Sequence, residues 1–123
     1  TADDAGGDGV DPAVLLQRLE HNTAHWRGCL EVITLEKGEV AQIAKEWAVK
    51  NCHPWTPFPA DASFGGNAGL IQNEQIGWYA THALLVNPGP STQGLESVVR
   101  REGLKVKVEN LPLARQISPE FTP

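Results

Sequence analysis

The chain has little of what usually announces a function. It holds only two cysteines, Cys29 and Cys52, in 123 residues. Nowhere does it carry the roughly 20 consecutive apolar residues of a membrane-spanning helix, so no membrane partner is expected. Basic residues are outnumbered, ten against fifteen acidic, and the net charge is −5. They are also scattered, the one local group being Arg100-Arg101 with Lys105 and Lys107. Gripping a phosphate backbone needs clustered Lys and Arg, so direct nucleic-acid binding is not expected. The stretch Thr1 to Gly9 is small, acidic and glycine-rich, without the basic and apolar regions of a signal peptide. Beginning at Thr rather than Met, it reads as trimmed. That suits a cytoplasmic product or, after signal cleavage, a secreted or periplasmic one.

The length fits one domain around one core, and 12 glycines and 9 prolines leave much of the chain to loops. Residues 1–10 read as a disordered arm. Asp11-Pro12 is a helix start, with Asp as cap and Pro at the first helical position. Leu15, Leu19, Trp26, Leu30 and Ile33 then trace one apolar face, continued by Val40, Ile43, Ala44, Trp47 and Ala48. This predicts a long N-terminal helix, continuous or broken at Gly28 or Gly38. The competing reading of Leu30 to Leu35 is a β-branched strand with Glu36-Lys37-Gly38 as its turn. From Glu39 to Asn51 both readings give a helix.

The two cysteines follow that choice. One straight helix over 12–51 places their sulfurs roughly 34 Å apart, far beyond disulfide reach. A reversal near Lys37-Gly38 lets them meet. A free, semi-buried thiol at each position is the preferred reading.

After residue 51 the pattern breaks. His53-Pro54-Trp55-Thr56-Pro57-Phe58-Pro59 cannot continue a helix, because proline lacks the amide donor and its ring clashes with the preceding turn. Phe64-Gly65-Gly66-Asn67-Ala68-Gly69 follows, and residues 53–75 read as a Pro/Gly-rich loop. Alternation from Ile76 to Val86 predicts a strand that buries Trp78. Gln93 to Arg101 predicts a short helix burying Leu95, Val98 and Val99 and stopped near Gly103. Leu104, Val106 and Val108 alternate with charged residues as a second strand. Residues 111–123 read as an extended tail lying on a surface, and no internal repeat is visible.

The chemical constellations are thin. His21 and His25 share a helix face at metal-ligand spacing but lack a third ligand, so no metal is expected. Cys52-His53, or Cys52 with His82, has the residue types of a thiolate pair without a spacing that demands one. The glycine stretch lacks the Lys-Ser/Thr and preceding strand of a phosphate cradle. Trp55 and Phe58, held by prolines in a segment with little structure of its own, either cover the chain's own core or insert into a partner, where stiff aromatic anchors lose little entropy on docking.

At Ala44-Lys45 through Asn51, Pro54-Trp55-Thr56 and Gly66-Asn67-Ala68, the chain resembles a family of long-tailed phage structural proteins. These are the small tail-completion or head–tail connector (minor tail, neck) proteins. The likeness covers about a third of the chain, and Gly69 stands where the family has Arg. It implies a helix packed on a small β-sheet, assembled as a ring at the neck of a virion. It implies a homo-oligomer and other virion structural proteins as partners, and assembly in the host cytoplasm.

Together these readings predict an α+β domain over 11–110, its N-terminal helix packed on a small, mainly antiparallel sheet with one short extra helix. The expected function is structural assembly without catalysis or cofactor, with Trp55, Phe58, Phe64 and Asn67 at the subunit or partner contact. A small exported binding or inhibitor protein stapled by Cys29–Cys52, and a Cys/His enzyme, are the alternatives.

Overall fold

Asp11 and Pro12 open the first helix as their types require. In the computed structural model, which describes residues 9–26 and 30–113, the Asp11 carboxylate accepts the Ala13 amide at 3.0 Å and Pro12 sits where no donor is needed. Helix α1 then runs Pro12–Thr23, burying Leu15. It does not continue. Residues Val32–Leu35 form strand β1, and Gly38, at φ +114°, turns the chain into α2, Glu39–Lys50. The predicted long N-terminal helix is therefore two helices with a strand between them. The β-branched Val32, Ile33 and Thr34 and a glycine in the left-handed half of the map explain why. Gly28 and Cys29 lie outside the described residues.

Past α2, Cys52 at φ +60° reverses the chain into β2, Trp55–Phe58. An Asp61-capped 3-10 turn, Ala62–Asn67, leads into α3, Ala68–Tyr79. The predicted loop over 53–75 is thus largely a strand and a helix. Strand β3 is His82–Val86, helix α4 is Gln93–Arg101, and strand β4 is Lys105–Glu109. The strand expected from Ile76 begins six residues later, because Ile76 to Tyr79 complete α3. Ile76 is 1% exposed, but Trp78 is 68% exposed, so the alternation that placed Trp78 in the core was a helical pattern misread.

The predicted antiparallel sheet is also overturned. β1 pairs with β2 in parallel, Val32 opposite Trp55, and β3 pairs with β4 in parallel, His82 opposite Lys105. Each pair is joined through a helix, and a helical crossover returns the chain in the same direction. No ladder joins the two pairs. The order helix-strand-helix-strand thus occurs twice, although no repeat is visible in the sequence.

Both pairs meet helices on both faces, although His82, Lys105 and Lys107 leave one face of β3 and β4 partly exposed. Val32 packs with Ala44 and Trp47 of α2, and Val86 packs with Leu15 of α1 and Val40 of α2. On the other side Leu35 and Ala83 meet Ile76 of α3 and Leu95 and Val99 of α4. The result is three layers, with two parallel ribbons between two pairs of helices, as parallel strands require. Val10 is buried and bridges to Leu113, while Asn87 both donates to and accepts from the Leu111 backbone. Residues 111–113 therefore lie along the chain's own body; residues 114–123 are outside those described.

Candidate functional site

Where β1 and β3 fail to join, a cleft of about 890 Å³ opens between the ribbons. Its interior is apolar, with Leu15, Leu19 and Trp47 on one side and Ile76 on the other. Its mouth is not. Trp26, Glu31, Tyr79, Thr81, His82 and Lys105 gather there, Glu31 and Thr81 just ahead of strands and His82 and Lys105 at their first positions.

Each of these side chains has a fixed setting. Trp26 follows the end of α1, its amide donating to Thr23 O at 3.0 Å. Its indole stands edge-on to the His82 ring at 4.6 Å and near His25 at 5.4 Å. His82 Nδ1 shares a hydrogen bond with Thr81 Oγ1 at 2.9 Å. Glu31 accepts from Thr56 on one oxygen and from the Tyr79 hydroxyl, at 2.7 Å, on the other. Those two bonds, Thr56 first, hold its carboxyl below the ordinary glutamate range, and the same contact pushes the Tyr79 phenol up. The Lys105 ammonium has no acidic partner within ion-pair reach among the described residues.

Compared with protein-family models, curated proteins and solved structures, the chain matches none.

The residues expected at a contact are split. Trp55 and Phe58 belong to β2 and are half-buried against the chain's own core. The Trp55 indole donates to Thr34 Oγ1 at 2.9 Å, with the Lys45 ammonium 4.8 Å above the ring, and Phe58 packs near Tyr79. Phe64 and Asn67 are exposed on the 3-10 turn. Cys52 is exposed at the end of α2, and only His82 of the proposed thiolate pair lines the cleft. His53 instead lies against Trp47, 5.2 Å between centroids. With Cys29 outside the described residues, the Cys29–Cys52 staple falls outside them too. His25 lies beyond the end of α1, and no three His, Cys, Asp or Glu among the described residues cluster to hold a metal. The glycine stretch, expected within the Pro/Gly-rich loop, is the turn that starts α3, with Gly65 at φ +59°. No described helix is long and apolar enough to cross a membrane.

Trp26, Glu31, Tyr79 and Lys105 escaped the sequence reading as a group. The available signal was polar or aromatic residues flanking strand starts, but it is visible only once the strands are placed correctly.

Beside the cleft, Glu109 fastens β4 to α1. Its Oε2 accepts from Arg18 Nε at 2.9 Å and Nη2 at 2.8 Å, and from Asn22 Nδ2 at 2.9 Å. Burial pushes this carboxyl up, but the Arg18 and Asn22 hydrogen bonds, with the Arg18 and Lys107 charges, outweigh it and leave the group below its ordinary value. A depressed folded pKa means the stabilisation is complete above the unfolded glutamate value and is lost as pH falls through the folded one. Glu109→Gln is expected to cost about 1.5–3 kcal/mol at pH 7, as for hydrogen bonds to a charged group. The cost should shrink as pH drops through and below the ordinary glutamate range. Urea melts at several pH values check this; equal spacing between wild type and variant at every pH would refute it.

Proposed function

We propose that the protein works by binding rather than by catalysis, holding part of another molecule in the cleft between β1 and β3 as a component of a larger assembly. The cleft carries this reading, being a large apolar cavity with a few convergent polar groups at its mouth. Glu31 supports the non-enzymatic half. Both its oxygens are engaged and its carboxyl is shifted down, away from the neutral range that suits a general acid or base. The assembly half is supported by apolar side chains on and beside α3 that face outward, Leu70 at 61% exposure, Trp78 at 68% and Phe64 at 44%. A phage head–tail connector or tail-completion component within a virion is the setting we propose for it, on the residue resemblance at 44–68.

The cleft is tested with anilinonaphthalene sulfonate, followed by its own emission and by quenching of Trp26 and Trp47. Saturable binding is expected, and Thr81→Trp, which fills the mouth, should remove it while leaving the circular dichroism unchanged. Probe emission that stays flat, or that ignores the filled mouth, would refute the binding site. Assembly is read separately by sedimentation: a mass above that of one chain is expected, reduced by Trp78→Ser. A single-chain mass at all concentrations, alone and with extract of its source, would refute that half.

A further inference from the structure

We infer that the cleft is a slot for a fifth strand, an extended apolar segment of a partner polypeptide that lies between β1 and β3 and hydrogen-bonds to both. This rests on the binding reading above and names its ligand class.

Backbone groups along a parallel strand point alternately to its two edges. The Val32 amide donates to Pro54 O at 2.8 Å, so Val32 and Thr34 face β2, while Ile33 and Leu35 turn theirs toward the cleft. On the other ribbon, Lys105 donates to Thr81 O at 3.2 Å and Asn87 to Glu109 O at 2.8 Å. Thr81, Ala83 and Leu85 therefore face β4, while His82, Leu84 and Val86 turn theirs toward the cleft. The amides of Ile33, Leu35, Leu84 and Val86 have no backbone acceptor among the described residues. Of the cleft-side carbonyls, Leu35 O is occupied, accepting the Thr34 hydroxyl at 2.7 Å. Leu35 and Val86 are buried. Buried backbone donors are almost always paired in folded proteins, so these edges call for a partner.

The outer edge of β2 is blocked and the inner edges are not. On β2 the same alternation points the missing amide of Pro57 outward, which blocks strand addition. On β4 the backbone facing the outer edge is that of Val106 and Val108, in a strand of only five residues. The cleft-side residues of β1 and β3 are apolar apart from His82, with no proline or lysine.

The walls define the guest. Helices close the cleft on both faces, so successive guest residues enter apolar surroundings on alternate sides, and a run of Val and Ile fits better than an amphipathic strand. β1 has four residues and β3 five, which sets the paired length. Lys105 at the mouth favours an acidic residue next to that run. The mode is strand addition, with two ladders formed instead of one.

The test uses a capped peptide of alternating valine and isoleucine between two aspartates, and a twin N-methylated at every second residue. Both have the apolar bulk to fill the cleft, but the twin lacks the donors for one ladder. We expect the plain peptide to slow hydrogen exchange at Ile33, Leu35, Leu84 and Val86 and to bind at least about tenfold more tightly than the twin. Equal binding of the two peptides would overturn the proposal. So would slow exchange of the four amides in the free chain at all concentrations, which would mean the ribbons have closed on each other. Protection that grows with protein concentration alone would replace the partner segment with a second copy, and also overturns it. Anilinonaphthalene sulfonate binding without peptide binding leaves the cleft a binding site but removes the strand; binding of neither removes both.

Discussion

Gly77→Val is expected to be among the most damaging single changes, lowering stability by about 3 kcal/mol, the upper end of the usual cost of overpacking. Gly77 is buried in α3 where that helix crosses α4. A Cβ built there meets Val98 Cγ1 well inside van der Waals contact, with Glu102 Cγ 3.4 Å away. Val98 is itself only 7% exposed, so it has little room to turn aside. Even Gly77→Ala should destabilise, against the gain of about 1 kcal/mol that alanine brings inside an unhindered helix. Gly69 supplies the control: it lies in the first turn of the same helix with nothing within 4 Å of its added Cβ. Gly69→Ala should be neutral or mildly stabilising. Urea midpoints decide, and a Gly77→Ala protein at least as stable as wild type would mean that α3 and α4 do not pack this closely.

Trp47→Ala should cost about 3–5 kcal/mol, as large-to-small changes at buried aromatics do. The side chain is 4% exposed, clustered with Val32, Ala44 and Ala48, and Leu19, Leu30 and Trp55 pack against that cluster. Its indole N–H also donates to Glu20 Oε1 at 2.9 Å, which ties α2 to α1. Trp47→Phe separates the two contributions. It keeps most of the ring volume but removes the donor, and should cost about 1 kcal/mol, the net worth of one hydrogen bond. Against a typical total of about 5–15 kcal/mol, the alanine variant should melt far below wild type and the phenylalanine variant only slightly. Similar losses for both would mean that the bond to Glu20, not the packing, holds this corner. Because Trp47 also lines the cleft, the phenylalanine variant should still bind the anionic fluorophore.

Individual residues show what could be read locally. The helix expected over Glu39 to Asn51 is Glu39–Lys50, and the one expected over Gln93 to Arg101 has those bounds. Leu95, Val98 and Val99 are buried as predicted, and Gly103, at φ +79°, lies just past the helix end. These segments carry their own signals, in apolar spacing and a glycine stop. Ile76 to Tyr79 and Leu30 to Leu35 are different. Both are short apolar runs whose spacing suits a strand or a helix, and in each case the competing period won. Reading Leu30 to Leu35 as helix and residues 53–75 as loop hid the crossover from β1 through α2 to β2. The order strand, helix, strand over residues 76–108 was legible, and it is the pattern that gives parallel pairing.

The candidate site suffered most from this. Trp26, Glu31, Tyr79 and Lys105 come from distant parts of the sequence, and Glu31 meets Tyr79 only because the start of β1 lies beside the end of α3. Trp55 and Phe58 invited a reading as free anchors because prolines surround them. Prolines are equally at home on an edge strand, and β2 is one.

By itself, then, the order of residues determined the capped start at Asp11, helices α2 and α4, the alternation of β4 and the acidic, sparsely basic character of the chain. Those properties depend on neighbours within a few positions, whose spacing and backbone preferences are written locally. Only the tertiary structure decided that the strands run parallel in two pairs, that Trp78 faces outward and that a cleft separates β1 from β3. Each of these is a choice among surfaces of similar apolarity, settled by which helices cover which faces and by where every backbone donor finds an acceptor.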